Sequence, residues 1–220
     1  AVNGQNAAKD AARSFIYIPN GTYNLGETCL TNISGHNISI IGESQDGVII
    51  KNKPVSEAIN TTATLMNTGT NNYIQDITIK NEFDYYAAVG DGGDGRAVCL
   101  WDKGANTTCK NVTLLSYQDT YYTNNPDGKY YWENSEIHGT VDFICGEGTL
   151  FVESSKLVVE KRKADGTGGC TITAPSSKAG NTYGYVFNNC TIENYAANYN
   201  LGRAWNNEPR CAYLNTIVND

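Results

Sequence analysis

Histidine is nearly absent from this 220-residue chain, with only His36 and His138, and none of the seven cysteines falls in a Cys-x-x-Cys pair. A zinc site is therefore not expected, and neither a metal nor a cofactor is needed to account for the motifs below. Charge is scarce: Asp, Glu, Lys and Arg make up 18% of the residues, while 22 Gly, 15 Tyr and abundant Asn and Thr stand where long helices would need Ala, Glu, Lys and Leu. The chain reads as β-rich. Positive charge is the scarcer sign, with a net charge of −7 and a pI near 4.8, which excludes nucleic acid and anionic membrane as expected partners. No apolar run approaches the roughly 18 residues of a membrane span, and no charged-then-apolar leader opens the chain at Ala1, so the chain as it stands is expected to be soluble. Cys29, Cys99, Cys109, Cys145, Cys170, Cys190 and Cys211 are odd in number, leaving at least one unpaired. They are expected to be reduced and buried among strands.

What the sequence does have is a recurring unit. Short β-branched and aromatic runs, among them 15–18, 38–41, 47–50, 73–79, 109–114, 131–137, 151–157, 186–192 and 213–217, are bounded by Gly, Asn or Asp. Most of the longer ones set an aromatic or apolar residue five or six positions before an aliphatic one, across a polar bend. This predicts an all-β solenoid in which each bend turns one strand into the next. The segment from Val2 to Ser14 is the one plausible helix, placed to cap the open end of the first coil. No Pro/Gly/Ser-rich linker divides the chain, so residues 1–220 are expected to form a single domain. Its last repeat, from Cys211, has nothing after it to close the stack, and an incomplete C-terminus is expected.

Asp119 and Asp142 lie 23 residues apart, and Arg96 lies a further 23 upstream. One coil of a parallel β-helix uses roughly 20–25 residues, so these three are expected to stack in one column at about the 4.8 Å inter-strand spacing. Two carboxyls so placed cannot both ionise cheaply. One should keep its proton while the other stays anionic, supplying an acid and a nucleophile together.

Five blocks in order, Gly21-Thr22-Tyr23 with Glu27, Arg96 to Leu100, Tyr117-Gln118-Asp119-Thr120, Gly139 to Gly146, and Leu201-Gly202-Arg203-Ala204-Trp205, resemble the pectin methylesterases over nearly the whole chain. The resemblance implies a right-handed parallel β-helix, a secreted or periplasmic location, and hydrolysis of the C6 methyl ester of galacturonate in methyl-esterified pectin. By the same resemblance Asp142 is the nucleophile and Asp119 the acid and then the base. Gln118 donates to the oxyanion, Arg203 holds Asp142 in a two-pronged contact, and Trp205 offers a flat face to a sugar ring. Tyr122 and Phe143, beside the two aspartates, are expected on the substrate side together with Arg96.

Arg96 stands where the family usually has Gln, Cys145 where it has Phe, Ala204 where it has Pro. A cation at position 96 can stabilise an oxyanion, yet it also favours ionisation of Asp119, which must hold a proton. Two alternatives follow: a silent pectin- or glycan-binding β-helix, or another pectin-degrading β-helix enzyme such as a polygalacturonase. The latter is disfavoured because inversion needs carboxyls about 6.5–9.5 Å apart with water between them. His138 is expected to be structural. The Asn-x-Ser/Thr triplets at Asn20, Asn32, Asn37, Asn60, Asn106, Asn111 and Asn189 are expected to reflect asparagine ladders at bends rather than glycosylation.

Overall fold

The repeated unit folds as a strand, a left-handed corner and a second strand. In the computed structural model, which describes every residue except Asn207 and Asp220, six stacked corner residues all have positive φ: Asp76, Asn111, Asn134, Ser154, Asn189 and Asn215, between +48° and +57°. Five of the six are Asn or Asp, the side chains that tolerate this region at least cost. Polar caps tie the column along the axis, as when the Asn111 amide donates to Asp76 (2.6 Å) and the Asn189 amide to Glu153 (2.7 Å).

On either side of the corner an apolar residue points inward, which is why the sequence shows an apolar pair five positions apart. Ile74, Cys109, Trp132, Val152 and Phe187 form one inward row, and Ile79, Leu114, Ile137, Leu157 and Ile192 the other. All ten are buried. At about 1.5–3 kcal/mol per fully buried side chain, these rows are the main favourable term holding the coils together.

All pairings between the 21 described strands are parallel, in one sheet of fourteen and one of seven. The seven-stranded sheet takes one short strand from each coil: Thr31–Ile33, Leu65–Asn67, Leu100–Asp102, Tyr121–Thr123, Val141–Gly146, Gly169–Pro175 and Asn198–Gly202. It carries the candidate site. Asparagines also stack outside the core, Asn106 donating to Asn71 (2.9 Å) and Asn71 to Asn37 (3.2 Å), so two of the glycosylation-like triplets lie in a ladder. Five cysteines are buried, Cys29 is half-buried and Cys211 exposed, and all seven are unpaired.

The N-terminal segment departs from the expected helix. Only one turn forms, α1 (Val2–Gln5), and the chain enters its first strand at Ser14. A single turn is costly to nucleate, and Asn6 competes by donating to the carbonyls of Ala12 (3.0 Å) and His36 (2.8 Å). Val2 still packs on the end of the core. A second short helix, α2 (Tyr85–Gly90), is capped by Asp84, whose side chain accepts from the Ala87 amide. No helix among the described residues is long and apolar enough to cross a membrane.

At the end of its strand in the seven-stranded sheet Asp102 is fully buried, accepting from Asn67, Gly104 N and Thr107 (each 3.0 Å) and from Tyr121 Oη (3.3 Å). Burial nevertheless pushes its carboxyl up to about 6. The folded state therefore keeps a proton that the unfolded chain loses between about pH 4 and 6, and stability is lost as pH rises through that window. The stability of the wild type relative to Asp102→Asn is expected to fall on the order of 3 kcal/mol from pH 4 to pH 7. Denaturant midpoints across that range check it, and a difference that stays flat would show that folding does not raise the Asp102 carboxyl.

Candidate active site

Consecutive residues on a strand face opposite ways, yet here two neighbouring pairs, Gln118 with Asp119 and Val141 with Asp142, line one cleft of about 330 Å³. The cause is local backbone. Asp119 and Asp142 both have left-handed φ, +59° and +50°, and the pairing of 141–146 with 169–175 shifts register between Val141 and Ile144. A bulge of this kind re-aims a side chain, and without it Asp142 would face the core. The flanking strands align Tyr121 with Ile144, which sets Asp119 and Asp142 on neighbouring coils. The Asp119 amide donates to Val141 O (3.2 Å).

The two carboxyls differ sharply in surroundings. Arg203 reaches Asp142 with two prongs, Nε at 2.9 and 3.0 Å from its two oxygens and Nη2 on Oδ2. Among the described residues Asp119 has no such partner, and its one side-chain hydrogen-bond contact there is the Cys145 thiol at 3.8 Å. Burial first, and then the nearby Asp142 charge, push Asp119 up to about 8, against weaker opposing pulls from Arg96, Cys145 and Arg203. At neutral pH the pair therefore presents a neutral acid beside a carboxylate that carries its own counter-ion.

Gln118 is oriented from behind. Arg162 Nη1 donates to Gln118 Oε1 (3.1 Å), which leaves both amide hydrogens of Gln118 free for the cleft. Arg162 is in turn held by Tyr85 of α2, whose hydroxyl accepts from Arg162 Nη1 (2.8 Å) and Thr140 (3.0 Å) and donates to Arg162 O (3.1 Å). Tyr85 stacks on Tyr117 with centroids 4.5 Å apart and planes within 7°. Beyond the carboxyls an aromatic run extends along the cleft: Trp101 stacks on Tyr122 (5.7 Å, 16°), and Tyr122 meets Trp205 at 6.1 Å.

A family model described as Pectinesterase matches residues 1–220. The chain belongs to the pectinesterase family. It is 31% identical over 215 residues to Pectinesterase A of Dickeya dadantii (strain 3937), covering 86% of this chain and 57% of that protein. It is 28% identical to Probable pectinesterase/pectinesterase inhibitor 6 of Arabidopsis thaliana, covering 92% of this chain and 35% of that protein. The chain thus spans little more than half the length of the first of these pectinesterases. Among solved structures, pectin methylesterase PemA from Erwinia chrysanthemi superposes with a TM-score of 0.81 at 28% identity, covering 97% of this chain and 72% of that one. A pectin methylesterase solved in complex with a hexasaccharide gives 0.80 at 28% identity, with the same coverage of both chains. The pectinesterase coils are those of a right-handed parallel β-helix.

Against this pectinesterase frame, most of the residues singled out in the sequence converge: Gln118, Asp119, Asp142, Arg203, Arg96 and Trp205 line the cleft, and Tyr122 flanks it. Two expectations need correction. Phe143 is not on the substrate side. It is fully buried, packed so close to Gly139 that a Cβ there would lie 2.0 Å from its own. The left-handed turn at Asp142 brings that residue outward and sends Phe143 in, and Cys145 takes the next outward place. Arg96 does not stack on Asp119: its coil uses 22 residues, so its backbone pairs with Gln118, and its guanidinium turns to Asp94. Of the tyrosines around the aspartates, Tyr121 and Tyr130 are core residues and Tyr131 stacks on Phe151 on the outer face. His138 is held between Glu136 (2.6 Å) and Glu160 (2.7 Å), outside the cleft. Arg162, Tyr85 and Trp101 went unrecognised in the sequence. The only signal for Arg162 was the basic run Lys161-Arg162-Lys163 ahead of a Gly-rich turn.

Proposed function

We propose that the chain is the catalytic β-helix of a secreted or periplasmic pectin methylesterase, which hydrolyses the C6 methyl ester of galacturonate in pectin to a carboxylate and methanol. The observation that carries this is the inequality of the paired carboxyls, Asp142 on Arg203 and Asp119 pushed up to about 8. Asp142 attacks the ester carbonyl carbon, and the oxyanion that forms takes hydrogen bonds from the Gln118 amide. One such donor is worth about 3–4 kcal/mol of barrier. As the carbon–methoxy bond breaks, the proton of Asp119 passes to the leaving oxygen, and methanol departs from an anhydride between Asp142 and the galacturonyl carbon. Asp119, now a carboxylate, takes a proton from water. The resulting hydroxide attacks the same carbon, the bond to Asp142 breaks, and both aspartates return to their starting states.

The cleft suits a polymer that carries free carboxylates among its esters. Three guanidinium groups, Arg96, Arg162 and Arg203, line it within a chain of net charge −7. With Asp119 neutral, Asp94 and Asp142 are the acids that oppose them among the described residues lining the cleft. Trp101, Tyr122 and Trp205 offer faces and edges to successive sugar rings. Incubation with highly methyl-esterified pectin is expected to release methanol with no gain in reducing ends. New reducing ends would identify a glycosidase instead, and pectin binding with neither product would identify a binding protein.

A further inference from the structure

Arg96 lies within electrostatic reach of the acid yet is not allowed to pair with it. Its Nη2 ion-pairs with Asp94, two residues earlier, and its Nε is shielded from solvent without a hydrogen-bond partner among the described residues. The loop that carries both is fastened from outside the cleft. Glu57 accepts backbone hydrogen bonds from Asp94 (3.2 Å), Gly95 and Arg96 (3.0 Å), and Gly95 takes the left-handed φ of +75° that lets three successive amides converge on one carboxylate. Burial acts to raise the Glu57 carboxyl, and these amides outweigh it and hold it below the usual carboxylate range.

We infer that Asp94 is a positioning residue: anchored on the loop that Glu57 fastens, it holds the Arg96 guanidinium at the rim of the cleft and neutralises it there, away from Asp119. The inference rests on the esterase reading above for its functional meaning but not for its test. An amide donor at position 96 would need no such restraint. A cation does, because a free guanidinium beside a carboxyl stabilises its anion and would take from Asp119 the proton required by the leaving group.

The groups acting on Asp119 are Asp142, which opposes its ionisation, and Arg96, Cys145 and Arg203, which favour it. The Tyr122 phenol also faces it. Of these, Arg96 alone has a restraint that one substitution removes without touching Gln118, Asp119, Asp142 or Arg203. The Asp94 and Arg96 side chains are both partly exposed, 55% and 41%, so the pair is open to salt and to the substrate's own carboxylates. An incoming carboxylate can therefore compete with Asp94 for Arg96 without exposing Asp119 to an unpaired cation.

The test is the titration of the Asp119 carboxyl, followed by carbon-13 NMR on aspartate-labelled protein and assigned by loss of the signal in Asp119→Asn. In Asp94→Asn the midpoint is expected to fall by about 1 unit or more. In Asp94→Asn with Arg96→Gln it is expected to return to the wild-type value or above, which a general loosening of the loop would not produce. An unchanged midpoint in Asp94→Asn, or a fall that persists in the double variant, would overturn the inference. Methanol release is measured on the same samples: a protein that releases none but shows the shift and its rescue loses the esterase reading and keeps this one.

Discussion

Replacing Asp142 with Asn is expected to lower methanol release from esterified pectin by about 10⁴-fold or more, with pectin affinity nearly unchanged. On the proposed mechanism the substitution removes the attacking oxygen, and with it the negative charge that pairs with Arg203 and opposes ionisation of Asp119. Asn tolerates the left-handed φ of +50° as well as Asp does, so the bulge that aims this side chain should survive. The aromatics proposed to face the sugars, Trp101, Tyr122 and Trp205, are not touched, which is why binding should hold. Turnover and affinity must be measured separately. A variant that keeps a substantial fraction of its methanol release would remove Asp142 from the nucleophilic role and leave it as a counter-ion for Arg203.

The second large effect belongs to Asp119. Asp119→Asn is expected to lose about 10²–10⁴-fold in kcat on methyl esters, because methoxide is a poor leaving group without a proton. An ester whose alcohol leaves easily as an anion should lose far less. On the proposed mechanism only the protonated form of Asp119 serves the first step, and this carboxyl is pushed up to about 8. The rate is therefore expected to fall as pH rises through about 8, and the residual rate of Asp119→Asn should show no fall in that window. Equal losses on both kinds of ester, or an alkaline limb that survives the substitution, would show that another group supplies the proton. The pH–rate profile with two leaving groups checks both points.

Much of the fourteen-stranded sheet was legible because its signal is local. The apolar pairs Trp132 with Ile137, Val152 with Leu157 and Phe187 with Ile192 sit five apart across one left-handed Asn or Ser, and that spacing is visible in the sequence. The seven-stranded sheet was nearly silent. Several of its strands are three residues long, and left-handed residues break the alternation just before one strand, at Asp119, and within another, at Asp142. The same feature misled the expectation for Phe143: period-2 reasoning carried past a left-handed residue gives the wrong face. The 23-residue interval placed Asp119 and Asp142 on neighbouring coils correctly, but extending it to Arg96 assumed equal coils, and that coil is one residue shorter. Arg162 and Tyr85 reach the site only through tertiary contacts, from a loop and a helix 77 residues apart, and no local pattern announces such a pairing.

One measurement bears most directly on the unequal carboxyl pair. At pH 7, infrared difference spectra between the wild type and Asp119→Asn should contain the carbonyl stretch of a protonated carboxylic acid, and that band should bleach as the pH is raised through about 8. Asp102, whose carboxyl is also raised by burial, is present in both proteins and cancels in the difference. A wild type with no protonated carboxyl at pH 7, or a band that remains after Asp119 is replaced, would contradict the division of the two aspartates into an acid and an attacking anion.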